Sequence, residues 1–421
     1  MHDIVFSPFS KQQKVLNSDA RTILVACGKR AGKTEVGAIK SIIWQETKPT
    51  NRSYRIDPFT GVIIAPTYDM LSRLSWKKFC TYAHPFIAEQ TKVPKFIKWY
   101  DGSEIYGMSA DKPERIEGIK ADWIWIDEIF HCDEQIFLEA QARVSDTKGF
   151  ILMTGSLGVQ YINPKQHWVY RHIVQKQPKG TEFHTWATLE NPFFPKDELN
   201  RLKETLDEET FNQMFTINWD SNSSHMVYRD WSVDNQKSHK YDPDLPTYVS
   251  VDWGWTHKMA CLFAQYNQMT DEVYVFDEIV QSHLSLDELF LKIKDRGYQI
   301  TGYCCDIAGN QTREQMGISN MRFFKDKGIQ FQARRTAIIY GIALIRSYVK
   351  SFTGKRRLFV DAERCPELIS SLKAYKYDQD SSSSDELPIK EDDDAVDALR
   401  YLFVNFIDKD VRVRQNKTIR L

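Results

Sequence analysis

The chain has 421 residues, 42% of them hydrophobic and 13% aromatic, which is material for two ordinary cores at about 150 residues per domain. A net charge of -1 from 56 basic and 57 acidic side chains excludes no charged partner, because the two signs can be segregated into patches. Seven cysteines, odd in number and without a C-x-x-C pair, exclude a disulfide frame and a zinc knuckle and point to a reducing compartment. With no signal-like leader and no apolar run near about 18 residues, a soluble intracellular protein is expected.

The first predicted element is a helix in FSPFSKQQKVL, where Gln12 carries an amide able to both donate to and accept from adenine; an exposed helix residue is the ordinary reading. From Thr22 to Trp44 an apolar β-rich run, TILVAC, enters the loop GKRAGKT and leaves as a helix. Strand, glycine loop and helix N-terminus in that order converge backbone N–H groups on oxyanions. Gly28, Lys29, Arg30, Ala31 and Gly32 form the cradle, Lys33 reaches the β- and γ-phosphates, and Thr34 holds Mg²⁺. Cys27 stands where the usual first glycine of G-x4-GK-[ST] would be.

Gly61 to Pro66, GVIIAP, reads as a buried strand of a parallel sheet, and KWYDGSEIY, Lys98 to Tyr106, as a hairpin around Asp-Gly. ADWIWIDEIF is a strand ending in two acids: Asp127 to hold Mg²⁺ and Glu128 to polarise the attacking water, which points to ATP hydrolysis. Arg143, in EAQARVSD, is a candidate arginine finger for a neighbouring subunit, and a solvated arginine is the bland alternative. GFILMTG is a further buried strand, leading to a Thr154-Gly155-Ser156 turn whose hydroxyl can sense the γ-phosphate.

Residues 1–180 are therefore expected to form a P-loop ATPase core and 181–218 a small helical subdomain. A Ser/Asn-rich linker is expected within 219–235, a second α/β domain over 236–407 and a basic tail over 408–421. In the second domain the strand Tyr248 to Val251 delivers Asp252, two more strands follow as a meander, and TGYCCDIAG delivers Asp306, with Cys304 and Cys305 in the core. KEDDDAVDALRYLFVNF is a helix with an acidic first turn; Asp394 and Asp397, three apart, share a face. If these carboxylates converge they can hold two Mg²⁺ or Mn²⁺ ions about 3.5–4 Å apart for phosphodiester hydrolysis. Acids complementing a helix dipole explain Glu391 to Asp394 equally well.

Taken together, FSPFSKQQKVL, ACGKRAGKT, IIAPT, IEGIKADWIWIDE, MTGS, VDWGW, CCDIAGN and DDDAVDALRY resemble, in order and from Phe6 to about Phe406, the large terminase subunits of tailed double-stranded DNA bacteriophages. The resemblance implies an ASCE-type P-loop ATPase with a mainly parallel sheet and a small helical subdomain, then an RNase H-like, RuvC-like α/β nuclease. It implies Gln12 as an adenine contact, Lys33 and Thr34 in Walker A, Asp127 in Walker B, Glu128 as the catalytic carboxylate and Thr154 to Ser156 as a coupling motif. Arg143, or else Arg30, falls to the finger. Asp252, Asp306 and Asp394 match nuclease metal ligands, with Asp397 a fourth and Asp393 able to replace Asp394. The implied cofactors are ATP, Mg²⁺ for the ATPase, and two Mg²⁺ or Mn²⁺ for the nuclease. The implied partners are double-stranded DNA, a small terminase subunit and the portal protein of a procapsid in the host cytoplasm. The family suggests a ring on the portal and a monomer in free solution, without membrane. Lys355-Arg356-Arg357 and Arg334-Arg335 are candidate phosphate contacts, with a solvated turn the equal alternative, and the tail is a candidate docking segment for portal or DNA.

Overall fold

A computed structural model describes residues 5–50, 57–158, 164–219, 226–255, 257–307, 319–377, 387–391 and 393–408. The tail past 408, Asp392 and the centre of the Ser/Asn-rich linker lie outside the described residues. The chain divides into two compact units, the first holding 5–199 and 212–219 of the described residues, the second 200–211, 226–377, 387–391 and 393–408.

The first unit opens with α1 (Ser10–Leu16), β1 (Thr22–Cys27), α2 (Lys33–Thr47), β2 (Thr60–Ala65), α3 (Tyr68–Arg73) and α4 (Ser75–Ala83). It continues with β3 (Ile87–Thr91), β4 (Lys95–Trp99), β5 (Glu104–Ser109), β6 (Trp123–Asp127), α5 (Glu134–Ser145), β7 (Phe150–Gly155) and β8 (Thr181–Trp186). Its sheet has the order β3-β4-β5-β2-β6-β7-β1-β8 and is parallel from β5 to β8, with β3, β4 and β5 antiparallel at one edge. The hairpin read around Asp101-Gly102 is β4–β5. The strand that intervenes between the P-loop strand β1 and the acidic strand β6 is β7, the arrangement of ASCE-type ATPases.

Continuous apolar runs are stable here because both faces are covered. Alternate side chains of β6 enter opposite cores: Trp123 and Trp125 join Ile23, Val25 and Trp44, whereas Ile124 and Ile126 join Leu24, Ala26 and Met153. The bulk of the two tryptophans is admitted by glycine, since a Cβ at Gly61 would stand 2.0 Å from the Trp123 ring and one at Gly37 2.5 Å from Trp125. The segment 181–218 begins differently from its helical reading: TEFHTW pairs with β1 in parallel register and becomes the sheet's edge strand β8. The two helices that follow, α6 (Lys196–Thr205) and α7 (Glu208–Phe215), carry the chain between the units.

The second unit contains β9 (Thr247–Asp252), β10 (Lys258–Asn267), β11 (Glu272–Ser282), α8 (Leu286–Asp295), β12 (Gly302–Cys305), α9 (Asn320–Asp326) and β13 (Phe331–Gln332). It ends with α10 (Ile338–Val349), β14 (Leu358–Val360), α11 (Pro366–Ala374) and α12 (Asp394–Leu402). An antiparallel meander β9-β10-β11 is extended in parallel by β12 and β13 on one side and β14 on the other, the RNase H-like arrangement. The buried residues Ala395, Ala398, Leu399 and Leu402 form one face of α12, and the Ser250 hydroxyl on β9 donates to the carbonyl of Ala398. That bond, with the apolar face, fixes the acidic start of α12 at the end of β9. All seven cysteines are free, and Cys304 and Cys305 are buried.

Candidate nucleotide site and candidate nuclease centre

The loop after β1 is held by its carbonyls. Thr188 Oγ1 donates to Lys29 O at 2.7 Å, Asn191 Nδ2 to Arg30 O at 2.8 Å, Trp186 Nε1 to Ala31 O at 2.8 Å and Gln12 Nε2 to Gly32 O at 3.0 Å. In a trans peptide the N–H points opposite the C=O, so the bonded carbonyls fix the direction of the amides that follow; of the loop amides, Lys29 N donates to Met214 O at 2.7 Å and Ala31 N to Gly28 O at 3.2 Å. The first turn of α2 adds amides without intrahelical acceptors. Two positions demand glycine: a Cβ at Gly28 would lie 2.4 Å from Phe215 O and Thr188 Oγ1, and Gly32 is left-handed at φ +82°. Arg30 also takes a left-handed φ of 63°, as does Glu128 at 53°, the kind of local strain that collects at functional sites.

Beside this loop lies a cavity of about 1000 Å³ lined by Lys29, Arg30, Lys33, Thr34, Glu128 and Ser156 among others. Lys33 Nζ stands 3.0 Å from Glu128 Oε1. Burial opposes the charge on Lys33, but Glu128 and Asp127 outweigh it and hold its pKa above the ordinary lysine value. Asp127 is fully buried; it accepts from Thr154 Oγ1 at 2.6 Å and Ser75 Oγ at 2.7 Å, while Thr154 accepts from Trp125 Nε1 at 2.9 Å. Burial and then Glu128 nevertheless raise the Asp127 pKa, with Lys33 and the two hydroxyls opposing. Lys29 is pushed down by burial, and Lys33 adds to the fall while Glu128 opposes it, so its charged form gains from an added anion. A glycine loop opening a helix, with Lys29, Arg30 and Lys33 on the cavity and a buried acid whose charge is felt at Lys33, the residue before Thr34, fits a magnesium-bound polyphosphate.

Gln12 lines the cavity, but its amide is engaged within the chain: Nε2 holds Gly32 and Oε1 accepts from Phe9 N at 3.4 Å. Its job here is to prop the loop. Arg143 lies near the C-terminal end of α5, where its carbonyl accepts from Ala121 N ahead of β6, at the opposite end of that strand from Asp127. It pairs with Glu139 at 3.5 Å, while its buried Nε has no hydrogen-bond partner among the described residues. It therefore does not enter its own chain's cavity, whereas Arg30 does. The residues that sequence reasoning missed are Trp186, Thr188 and Asn191.

In the second unit β12 runs parallel to β9 with Cys305 opposite Val251, so Asp306 and Asp252 follow at adjoining strand ends. Asp393 is the N-cap residue of α12 and Asp394 its first residue. Burial, then the negative charges of Asp397, Asp394, Asp306 and Asp393, push Asp252 up to about 8. Asp393 and Asp394 are likewise raised by burial, then chiefly by Asp397 and by Asp393 respectively. Hard oxygen donors that repel one another suit divalent cations. Among the described residues no three such side chains already close into a cation cage. Asp397 differs from the others, because Arg400 Nη2 and Nε contact its carboxylate at 2.9 and 3.1 Å and the Tyr401 hydroxyl donates at 3.4 Å. It shares the centre's field, but its charge is already paired.

The candidate DNA cations are mostly internal. Arg357 is buried, donating to Asp271 Oδ2 at 2.8 Å and Ser347 O at 3.0 Å and lying 4.2 Å over the Tyr348 ring. Arg356 donates to Asp230 O at 2.8 Å and Asn235 Oδ1 at 2.5 Å, and Arg334 to Asp408 Oδ2 at 2.7 Å. Lys355 and Arg335 remain exposed.

The first unit is thus a P-loop ATPase fold and the second an RNase H-like nuclease fold. Two family profiles match in tandem: "Terminase large subunit, T4likevirus-type, N-terminal" over residues 25–231 and "Terminase RNaseH-like domain" over 249–406. The chain belongs to the large terminase subunit family, which joins ATPase and nuclease domains for bacteriophage DNA packaging. The large terminase from a thermophilic bacteriophage has a similar fold, with a TM-score of 0.67 and 17% identity over 95% of this chain and 99% of that one. Structures of that protein in complex with ADP and with ATP-gamma-S give TM-scores of 0.66 at 18% and 17% identity, over 95% and 94% of this chain and 99% of each of theirs. A comparison with curated proteins gives no match.

Proposed function

We propose that this chain is an ATP-driven translocase of double-stranded DNA and a metal-dependent endonuclease that cuts concatemers to start and end packaging. The observation that carries the reading is the 3.0 Å contact of Lys33 with Glu128, near buried Asp127, where the glycine loop lines a cavity. Lys33, the loop amides and Arg30 bind the phosphates, and Thr34 with Asp127 holds the magnesium ion. Arrival of the phosphates gives Lys33 a second anion, releasing Glu128 to take a proton from water. The nucleotide supplies the phosphoryl group and its leaving oxygen. In the second unit Asp252, Asp306 and Asp393 or Asp394 hold one or two divalent cations, which when bound supply an activated water and a stabilised leaving oxygen. Asp397 with Arg400 orients α12.

Double-stranded DNA, a small terminase subunit and the portal are the partners of this reading. Its setting is the host cytoplasm, and it acts as a ring on the portal. Among the described residues no helix is long and apolar enough to cross a membrane. The test is ATP hydrolysis and plasmid cleavage in Mg²⁺ or Mn²⁺ by the parent, Lys33→Ala and Asp252→Ala. Asp252→Ala is expected to lose cleavage by a factor of about 100 or more and keep ATPase, and Lys33→Ala to do the reverse. Loss of both activities in either variant, or cleavage that survives Asp252→Ala, refutes two separate sites.

A further inference from the structure

We infer that the turn after Asp252 is a nucleic-acid contact in which Trp255 offers an aromatic platform to a base of the strand being cut, flanked by the imidazoles of His257 and His283. The inference rests on the nuclease reading given above. It starts from the register: Cys305 opposes Val251, so Asp252 and Asp306 end neighbouring parallel strands at one edge of the sheet. Each acid is followed by a large apolar residue turned to solvent, Trp255 at 52% exposure and Ile307 at 40%. Neither is core: each is an exposed apolar side chain in the connection that follows one of the acids.

Trp255 is exposed yet fixed. Gly254 makes the turn possible, because a Cβ there would lie 2.3 Å from Lys258 O and 2.9 Å from His257 O. The His283 amide donates to Trp255 O at 2.9 Å, and the two rings lie 5.7 Å apart. β10 and β11 pair Lys258 with Ser282, so His257 and His283 are the next residues beyond that pair on the two strands. His257 stands in the connection between β9, which ends at Asp252, and β10, which begins at Lys258. An acidic centre repels a phosphate backbone, so groups that can carry positive charge at its rim are needed to seat one. A rigid indole supplies what every base accepts, a π-face, without sequence preference. Carboxylates that cut, imidazoles that meet phosphates and an indole that meets bases select a DNA strand as occupant over an apolar protein segment.

The test uses the full chain. Plasmid cleavage is measured for the parent, Trp255→Ala, Trp255→Phe and Asp252→Ala, and binding of a fluorescent single-stranded oligonucleotide, whose bases are free to stack, is measured in EDTA for Asp252→Asn with and without Trp255→Ala. ATPase activity is the control for folding. Trp255→Ala is expected to raise both the half-saturating DNA concentration and the Kd roughly 5- to 150-fold, the factor that stacking on one aromatic is worth. ATPase should not change, and Trp255→Phe should recover most of the loss. Trp255→Ala that binds and cuts like the parent overturns the inference while leaving the nuclease reading intact. A parent that cuts nothing with either metal overturns the nuclease reading, and the paired binding measurement then decides the contact alone: a Trp255-dependent Kd supports it and an unchanged one overturns it.

Discussion

Replacing Thr154 by valine removes one hydroxyl from a buried chain of three groups, and its consequences can be worked from the distances. Thr154 donates to Asp127 at 2.6 Å and accepts from Trp125 Nε1 at 2.9 Å, all three residues being buried. The bond to an ionised acceptor contributes about 1.5–3 kcal/mol, and the indole N–H left without an acceptor costs about 1–3 kcal/mol, so a loss of about 2.5–6 kcal/mol is expected for Thr154→Val. The kinetic consequence is more specific. The Asp127 pKa already stands above the ordinary aspartate value because of burial and Glu128, and the Thr154 bond works against that rise. Removing a bond worth about 1.5–3 kcal/mol to the ionised form moves the acid limb of the ATPase profile upward by about 1–2 pH units at 1.36 kcal/mol per unit. Thr154→Ser, which keeps the hydroxyl, leaves the limb in place. The assay is kcat for ATP between about pH 6 and 9, with urea denaturation in parallel. An unmoved limb in folded Thr154→Val, or an equal movement in Thr154→Ser, refutes the argument that this hydroxyl keeps Asp127 ionised.

Arg357→Leu is expected to destabilise the chain by about 1–3 kcal/mol in urea, because it takes the guanidinium from the half-buried Asp271 carboxylate, which keeps the hydroxyls of Tyr266 and Tyr348, and from the carbonyl of Ser347; a loss below about 0.5 kcal/mol would mean that solvent screens the pair. Asp252 has a folded pKa of about 8 against about 3.9 unfolded, so the folded state holds the extra proton between those values. Cation-free stability therefore falls as pH rises from about 4 through 8, Mn²⁺ offsets the fall and Asp252→Asn flattens it. Melting temperatures in EDTA that rise with pH over that interval would contradict this sign.

What the sequence made legible was whatever its local pattern dictates. The strands TILVAC, GVIIAP and WIWID are apolar on both faces, and only a sheet covered twice rewards that. The loop between β1 and α2 was readable because strand, glycine and helix stand within a dozen residues. Its support was not readable, because Trp186, Thr188 and Asn191 reach it across separations of 155, 159 and 161 residues. The same distance effect hid the fate of the basic runs. Arg334, Arg357 and Arg356 find their partners 74, 86 and 121 residues away, so a sequence run that looks solvated is partly interior. β8 is a different case: in TEFHTW the apolar residues Phe183 and Trp186 stand three apart and burial does not alternate, so the strand is set by its pairing with β1 and not by a period of its own.

Asp397 brings the two kinds of legibility together. Its spacing from Asp394 places it on the acidic face, but Arg400 stands three residues further along the same helix, and that i,i+3 pair answers its charge locally. Among the four charges that raise Asp252, Asp397 is the largest contributor even though it is paired. The centre is therefore built from two kinds of aspartate. Asp252, Asp306, Asp393 and Asp394 stand at strand ends and a helix start, and on the nuclease reading proposed above they are the ones that would take the divalent cation. Asp397 is answered by Arg400 and Tyr401 on its own helix, so its bonds stiffen that turn of α12 while its charge still adds to the field at Asp252. On the same reading the arginine-paired member would tune the acids around it rather than bind the metal itself, because a carboxylate already held by a guanidinium has less to gain from a cation.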